Sequence, residues 1–440
     1  MEQSFFQNIS RVSGNNIFNS IFRFATALLI ARILGPYGKG VYASLMVIPM
    51  MVLSITELGV RRSTIVHLGE KKFNPEQVIS VLAFFFLFTS IAGIVVSFLI
   101  YQSYDESTLT PVMIILALAT IPIRLINRFS TGIFVANEEY RKFTFIRSIP
   151  VLLNFVFIIL FLLILKMSIE GALIAVVISN LVSATYSLRL LSNTYKISVR
   201  FNMKIVKSLL SLGMVYAGAM FLARLNFKID ILILQMLSSS EQVGYYTVGS
   251  GFAEKFQTPF ALGAVILSSG ANNRDQTQVN KNVVALFRIS LLYTVAISIV
   301  IFLLAPIAVP FLYSEAYQSS VPVVRFILPA VTWLILMKIL GNRIASLKKT
   351  GYMIWVHIPA LLVNVALNFY LIPRYQAMGA VYATNISYLI SFIGVLILFK
   401  KFTGTSFKEL IYFKKDDFYF LRYVKLGRRK RNQGDEPETF

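Results

Sequence analysis

Gly35-Pro36-Tyr37-Gly38-Lys39-Gly40-Val41-Tyr42-Ala43 parts two long apolar runs. Its echo, Ser238-Ser239-Ser240-Glu241-Gln242-Val243-Gly244-Tyr245-Tyr246, parts another two about 204 residues later. Glycine, proline and serine clusters end helices and turn the chain, so each stretch reads as a tight turn between helices. The runs they join are long enough to cross a bilayer, whose hydrocarbon core of about 30 Å takes roughly 20 apolar residues in a helix. A second correspondence extends the repeat. Ile149-Pro150, Asn154, Gly171-Ala172 and Ala175 are answered by Ile358-Pro359, Asn364, Gly379-Ala380 and Ala383. Each half then carries six spans, and an even number per half makes the repeats parallel.

Working outward, long apolar runs against charged or turn-rich breaks place spans near 12–34, 41–60, 78–101, 110–127, 146–165 and 169–188. The second set falls near 208–237, 243–268, 283–313, 320–341, 351–372 and 378–399. The ninth is expected to break or re-enter near Pro306 and Pro310, and the Gly35–Gly40 turn to form an outer hairpin. The fold class is all-α integral membrane, about twelve transmembrane helices in two six-helix lobes around a central cavity. The N-terminal lobe is read as 1–200, the C-terminal lobe as 201–400 and a basic cytoplasmic tail as 401–440.

Composition agrees. Of 440 residues, 56% are apolar and 14% charged, against about a quarter charged in soluble domains, and the mean hydropathy is +0.70. A soluble enzyme is excluded on this ground. With no cysteine and only His67 and His357, neither thiolate chemistry nor a histidine-rich metal centre is expected, and no catalytic residue stands out. Met1–Arg11 does not read as a cleaved signal.

The net charge of +22, from 42 basic and 20 acidic residues, divides by position. The even-numbered connections and the tail hold most of it, including Arg61, Arg128 and Arg147. Only Lys39, Lys166 and Arg374 fall outside, which places both termini in the cytoplasm. Nine cations lie within or at the ends of spans: Arg23, Arg32, Arg124, Arg224, Lys228, Lys255, Arg288, Arg325 and Lys338. An ionised side chain at mid-bilayer costs at least about 2.5–3.5 kcal/mol, so these face protein or a wet cavity. Their surplus over Glu57, Asp230 and Glu254 suggests an anionic cargo.

Several motifs carry a family resemblance. Arg32-Ile33-Leu34-Gly35-Pro36-Tyr37-Gly38-Lys39-Gly40-Val41-Tyr42 resembles the first hairpin of polysaccharide-unit flippases of the multidrug/oligosaccharidyl-lipid/polysaccharide (MOP) exporter superfamily. Glu57-Leu58-Gly59-Val60, Asn226-Phe227-Lys228-Ile229-Asp230 with Val243-Gly244-Tyr245-Tyr246, and Asn368 to Pro373 followed by Met378 to Thr384 are similar to its later signatures. The resemblance spans about residues 8–400. It implies flipping of an undecaprenyl-diphosphate-linked oligosaccharide across the bacterial inner membrane, for O-antigen, capsule or exopolysaccharide. It also implies membrane lipids, a polysaccharide polymerase and a chain-length regulator as partners, and no nucleic acid.

Guanidinium pairs with phosphate oxygens in a bidentate fork. Arg23, on a polar stripe with Asn16, Asn19 and Ser20, and Arg224, near Asn226 and Lys228, are the expected diphosphate binders. The competing reading locks helices through pairs with Glu57 or Asp230, and Lys228 fits an ion pair with Asp230. Arg32 and Arg325 fit snorkelling at helix ends, and Arg124 stands near such an end. No cofactor is expected. Coupling to a proton or sodium gradient is, through Asp230, Glu57 or Glu254, since a carboxylate in a low-dielectric cavity can take up and release a proton. The segment from Ser406 to Arg431 mixes apolar and basic residues in a way that suits an anionic inner leaflet. Two other functions compete: a multidrug or organic-cation antiporter, which calls for an acidic cavity, and a polyprenyl-linked glycosyltransferase or polymerase, which calls for large outer loops or clustered carboxylates.

Overall fold

The computed structural model describes residues 2–104, 109–199, 201–257, 276–347 and 349–412, except the side chains of 2–14, 16, 215–217, 219–220 and 223–224. The helices are α1 (Glu2–Thr56), α2 (Val60–Gly69), α3 (Pro75–Tyr101), α4 (Pro111–Ala136), α5 (Tyr140–Ile158), α6 (Ile169–Ser192), α7 (Met203–Leu237), α8 (Ser240–Gln257), α9 (Gln276–Tyr313), α10 (Ser320–Ser346), α11 (Met353–Tyr375), α12 (Ala377–Thr403) and α13 (Phe407–Ile411). A π-helical turn, Ile159–Ile164, follows α5. No strand occurs among the described residues. Nine described helices are long and apolar enough to cross a membrane, and one of these, Ile17–Thr56, carries two of the expected spans.

Local chemistry sets the helix ends. Asn74 and Thr110 each precede a proline, and their side chains accept from the backbone N–H of Glu76 at 2.9 Å and Met113 at 3.3 Å. Side-chain caps of this kind satisfy orphan donors that hydrocarbon could not. Within α1, Gly35 (φ 67°, ψ −178°) leaves the helical region and Pro36 restarts it. Glycine tolerates the positive φ that ends a helix, and proline suits a first turn that needs no N–H. The tight outer turn of the sequence reading is therefore a one-residue break. The expected interruption of the ninth span is corrected: α9 runs through Pro306 and Pro310 as one 38-residue helix. A proline in a membrane helix frees one carbonyl that local adjustment re-satisfies.

A second correction concerns α4 and α5. The connection expected over 128–145 shrinks to residues 137–139, because α4 continues to Ala136 and α5 begins at Tyr140. Charged residues end a hydropathy run without ending a helix. Small polar side chains bind these helices to α6. Ser183 Oγ donates to the Ile146 carbonyl at 2.9 Å, Asn127 Nδ2 to the Asn180 carbonyl at 3.2 Å, and Ser187 Oγ to Ser130 Oγ at 3.3 Å. Such contacts replace the hydrophobic drive that lipid removes.

The chain clusters into two compact units. The first comprises Met1–Gly249, Pro306–Val323 and Val365–Ala380, the second Ser250–Ala305, Val324–Asn364 and Val381–Phe440. The first unit has a core around Leu53, Leu82, Phe85, Ile121, Leu125, Phe134 and Ile146. Inside it the repeated turns meet each other. A side chain at Gly40 would collide with the Ser240 carbonyl, and one at Gly244 with the Pro36 carbonyl. The contact is reciprocal, as expected of two copies of one motif, and close backbone approach between small residues is how membrane helices pack. In the second unit, Phe392 stacks on Phe287 and Trp333, with ring centroids 6.3 and 5.2 Å apart. Arg288, buried there, donates to the Glu409 carbonyl and so holds α13. Outward apolar residues such as Ile91, Ile115, Ile307 and Phe311 are more than 60% exposed, a surface that suits hydrocarbon rather than water.

Candidate functional site

A cavity of about 540 Å³ lies within the first unit, between α1, α2, α4, α5 and α6. Six cations line it: Arg23, Lys39, Arg61, Arg124, Arg128 and Arg147, with no acid among the lining residues. Asn127, Asn154, Asn180, Thr131 and Tyr42 complete its polar wall. From α4 the contributions are Arg124, Asn127, Arg128 and Thr131, spaced i, i+3, i+4 and i+7, so they share one helix face. The bonds of Asn127 and Ser183 to neighbouring helices hold that face in place. From α5 come Phe143, Arg147, Pro150 and Asn154, again one face.

The charges are close enough to feel one another. Arg124 lies in electrostatic reach of Arg23 and Arg128, and Arg61 of Arg128 and Arg147. Like charges a few ångströms apart repel by about 4 kcal/mol at an effective dielectric near 20. Among the described residues, one acid meets this group. Glu57, just beyond α1, forms an ion pair with Arg128, which also donates to the Leu53 carbonyl at 3.2 Å. The Arg61 Nε is buried without a described hydrogen-bond partner. A buried donor without a described acceptor and a surplus of cations over acids among the lining residues make a site that an anion completes.

The expected site residues distribute unevenly. Arg23 lines the cavity and is exposed to it. Asn19 is buried at 5% and turns instead to α5, donating to Ser148 Oγ at 3.1 Å; Ser148 Oγ in turn donates to Asn15 at 2.8 Å. The side chains of Asn16 and Arg224 lie outside the described residues, as does the chain beyond Tyr412. Asn226 is buried on α7 and Lys228 is half-buried there. Glu254 lies half-buried on α8, within electrostatic reach of Lys338.

Asp230 has a separate setting. It is 1% exposed, and its carboxylate accepts from the Tyr246 hydroxyl at 2.9 Å and from Asn368 Nδ2 at 2.7 Å. The ion pair expected with Lys228 is not among the described contacts; residues two apart point to different helix faces. Near the start of α10, Arg325 Nε donates to the Phe302 carbonyl at 2.9 Å and its guanidinium lies 4.8 Å from the Phe302 ring centroid.

By hydropathy alone, Arg61, Arg128 and Arg147 fall in loops as cations that orient the protein, and Lys39 falls in an outer loop. The structure brings all four to the cavity. A signal was present: the polar stripe from Arg124 to Thr131 keeps helical spacing across the point where hydropathy falls.

Comparison with known proteins gives four likenesses. The family described as "Polysaccharide biosynthesis protein" matches residues 29–322. A Shigella flexneri protein named "Putative O-antigen transporter" is 24% identical over 403 residues, covering 84% of this chain and 94% of its own length. Among solved structures, the lipid II flippase MurJ in an inward closed conformation superposes with a TM-score of 0.73 at 16% identity, covering 95% of this chain and 96% of its own. An inward-facing multidrug resistance MATE family transporter of the MOP superfamily does so at 0.68 and 15%, covering 91% and 99%. The fold is thus that of an all-helical, multi-pass membrane transporter.

Proposed function

The chain belongs to the polysaccharide biosynthesis protein family, and from that premise we propose that it is a flippase for lipid-linked oligosaccharide. The cargo is an undecaprenyl-diphosphate-linked repeat unit, moved across the bacterial inner membrane by alternating access, with both termini in the cytoplasm. One observation carries the reading: six cations and no acid line a cavity among membrane helices. A diphosphate cannot cross hydrocarbon uncompensated, and guanidinium forks match its oxygens. The names of the Shigella relative and of MurJ point to the same cargo class. A basic cavity disfavours the organic cations that an antiporter would take.

Arg23 and Arg124 bind the diphosphate in this reading, and Arg224 with Lys228 and Asn226 offers a second set of donors from α7. Asp230 is the proposed coupling acid, for a proton or sodium, because it is a buried carboxylate held by neutral donors. A polymerase and a chain-length regulator would take the product onward. The test is Arg23→Ala or Arg224→Ala in a native host. Loss of a charged hydrogen bond of about 1.5–3 kcal/mol lowers surface polysaccharide roughly tenfold or more at normal protein abundance. Wild-type polysaccharide in both variants would sink the phosphate-binding role.

A further inference from the structure

The ion pair between Glu57 and Arg128 sits where the cavity meets a backbone seam. Glu57 begins the turn from α1 to α2, and the next two residues, Leu58 (φ 49°) and Gly59 (φ 64°), are both left-handed. This sharp turn presses on α7: a side chain at Gly59 would collide with the Gly213 carbonyl, and one at Gly213 would meet the Leu58 carbonyl. The seam continues along α2, where His67 Nε2 lies 3.2 Å from the Ser208 carbonyl and 3.1 Å from its hydroxyl. Lys72 Nζ donates to the same hydroxyl at 3.5 Å. Arg128 thus grips the last turn of α1 through Leu53 and the first residue of the α1–α2 turn through Glu57.

We propose that Glu57 is the resident counter-ion of the cargo site: an incoming diphosphate displaces it from Arg128, and the released turn loosens the seam between Gly59 and Gly213. The inference rests on the reading of the cavity as a diphosphate site. Its chemistry is competition for one donor set. A guanidinium fork accommodates a carboxylate or a phosphate with similar geometry. Six cations favour the more highly charged anion, since each adds to the attraction. Glu57 also neutralises part of the field at Arg61, which lies in its electrostatic reach.

Partial burial makes exchange feasible. The Arg128 and Glu57 side chains are 26% and 15% exposed, so the carboxylate is neither sealed in nor idle in water. Breaking a fully buried pair leaves an uncompensated charge at a cost of about 3–5 kcal/mol. Here the arriving anion supplies the compensation for Arg128, and Glu57 turns towards solvent. Cargo occupancy is thereby transmitted two residues along the chain to a backbone contact. Glu57 acts as a positioning residue for the turn and as a competitor for the ligand.

The chain contains no cysteine, so an introduced pair reports the seam cleanly. The experiment uses the full-length protein in detergent with Lys72→Cys and Ser208→Cys, a bifunctional maleimide and inorganic pyrophosphate as the anion. Pyrophosphate is expected to cut cross-linking at least threefold. Glu57→Gln removes the competitor, so pyrophosphate binds on the order of tenfold tighter, and cross-linking stays low with or without it. Glu57→Asp keeps the charge with a shorter reach and gives an intermediate, about threefold gain. Unchanged affinity in the Asp variant, or in a folded Gln variant, overturns the proposal, as does a seam that still responds to pyrophosphate in the Gln variant. Arg124→Ala separates the two readings. If the parent protein binds pyrophosphate no better than this variant, the diphosphate site itself falls, and the counter-ion role with it.

Discussion

The first unit handles charge in two opposite ways. Around the cavity, six cations gather with one carboxylate close behind them, and Arg23 and Arg147 are exposed to the open space. At Asp230 a single carboxylate is 1% exposed and rests on Tyr246 and Asn368. The first arrangement is under-compensated and open, which suits a ligand that brings the missing charge. The second is closed and accepts hydrogen bonds from a phenol and an amide, which suits a group whose charge is managed in place. Position on a helix does not separate them; access and the sign of the surroundings do.

The largest effect is expected from reversing charge in the open site. Arg124→Glu puts an anion where the proposed diphosphate would bind, and surface polysaccharide should fall about a hundredfold or more, since repulsion replaces attraction. A fall of less than threefold at normal abundance would erase the contrast between the two sites. Asp230→Asn comes next. The amide keeps the shape, and if Asp230 is the coupling acid proposed above, transport should drop roughly tenfold and no longer respond to a proton or sodium gradient. Pyrophosphate affinity measured on the same protein should stay within about twofold, which sharpens the separation of the two sites. The smallest effect belongs to Asn19→Ala. This removes a bond to Ser148 that ties α1 to α5, so thermal unfolding should show a loss of about 1 kcal/mol, again with pyrophosphate affinity within about twofold. A tenfold loss of affinity there would return Asn19 to the cargo wall.

Much of the architecture was legible in the chain. The turn at Gly35-Pro36 and its echo at Ser238–Tyr246 announced a repeat, and the structure places the two in reciprocal contact. The membrane character followed from apolar runs that need only length and hydropathy. What the runs concealed was the reach of α4 and α5. Arg128, Arg141, Lys142 and Arg147 lower local hydropathy, so hydropathy alone ends one span at 127 and starts the next at 146. A helix continues wherever its backbone bonds are satisfied, and a basic face costs little where it borders a wet cavity. The same averaging assigned Arg61 and Lys39 to loops. Arg23 was legible because its stripe lies inside an otherwise apolar run. The partners of Asp230, on α8 and α11, were not, since Tyr246 and Asn368 are brought to it by tertiary packing that no local pattern encodes.

The three-residue link between α4 and α5 has a mechanical consequence. With only residues 137–139 between them, and with α6 stitched to both through Ser183 and Asn127, the helices bearing Arg124, Arg128 and Arg147 behave as one plate. In the proposed function, a headgroup would meet these three cations at fixed spacing, like the stationary jaw of a caliper. Arg23 lines the same cavity from α1, which the bond from Asn19 to Ser148 ties to that plate, and Arg61 lines it from beyond the turn at Gly59. The spacing of Arg124, Arg128 and Arg147 is then one fixed gauge, against which a headgroup of the proposed cargo would be measured.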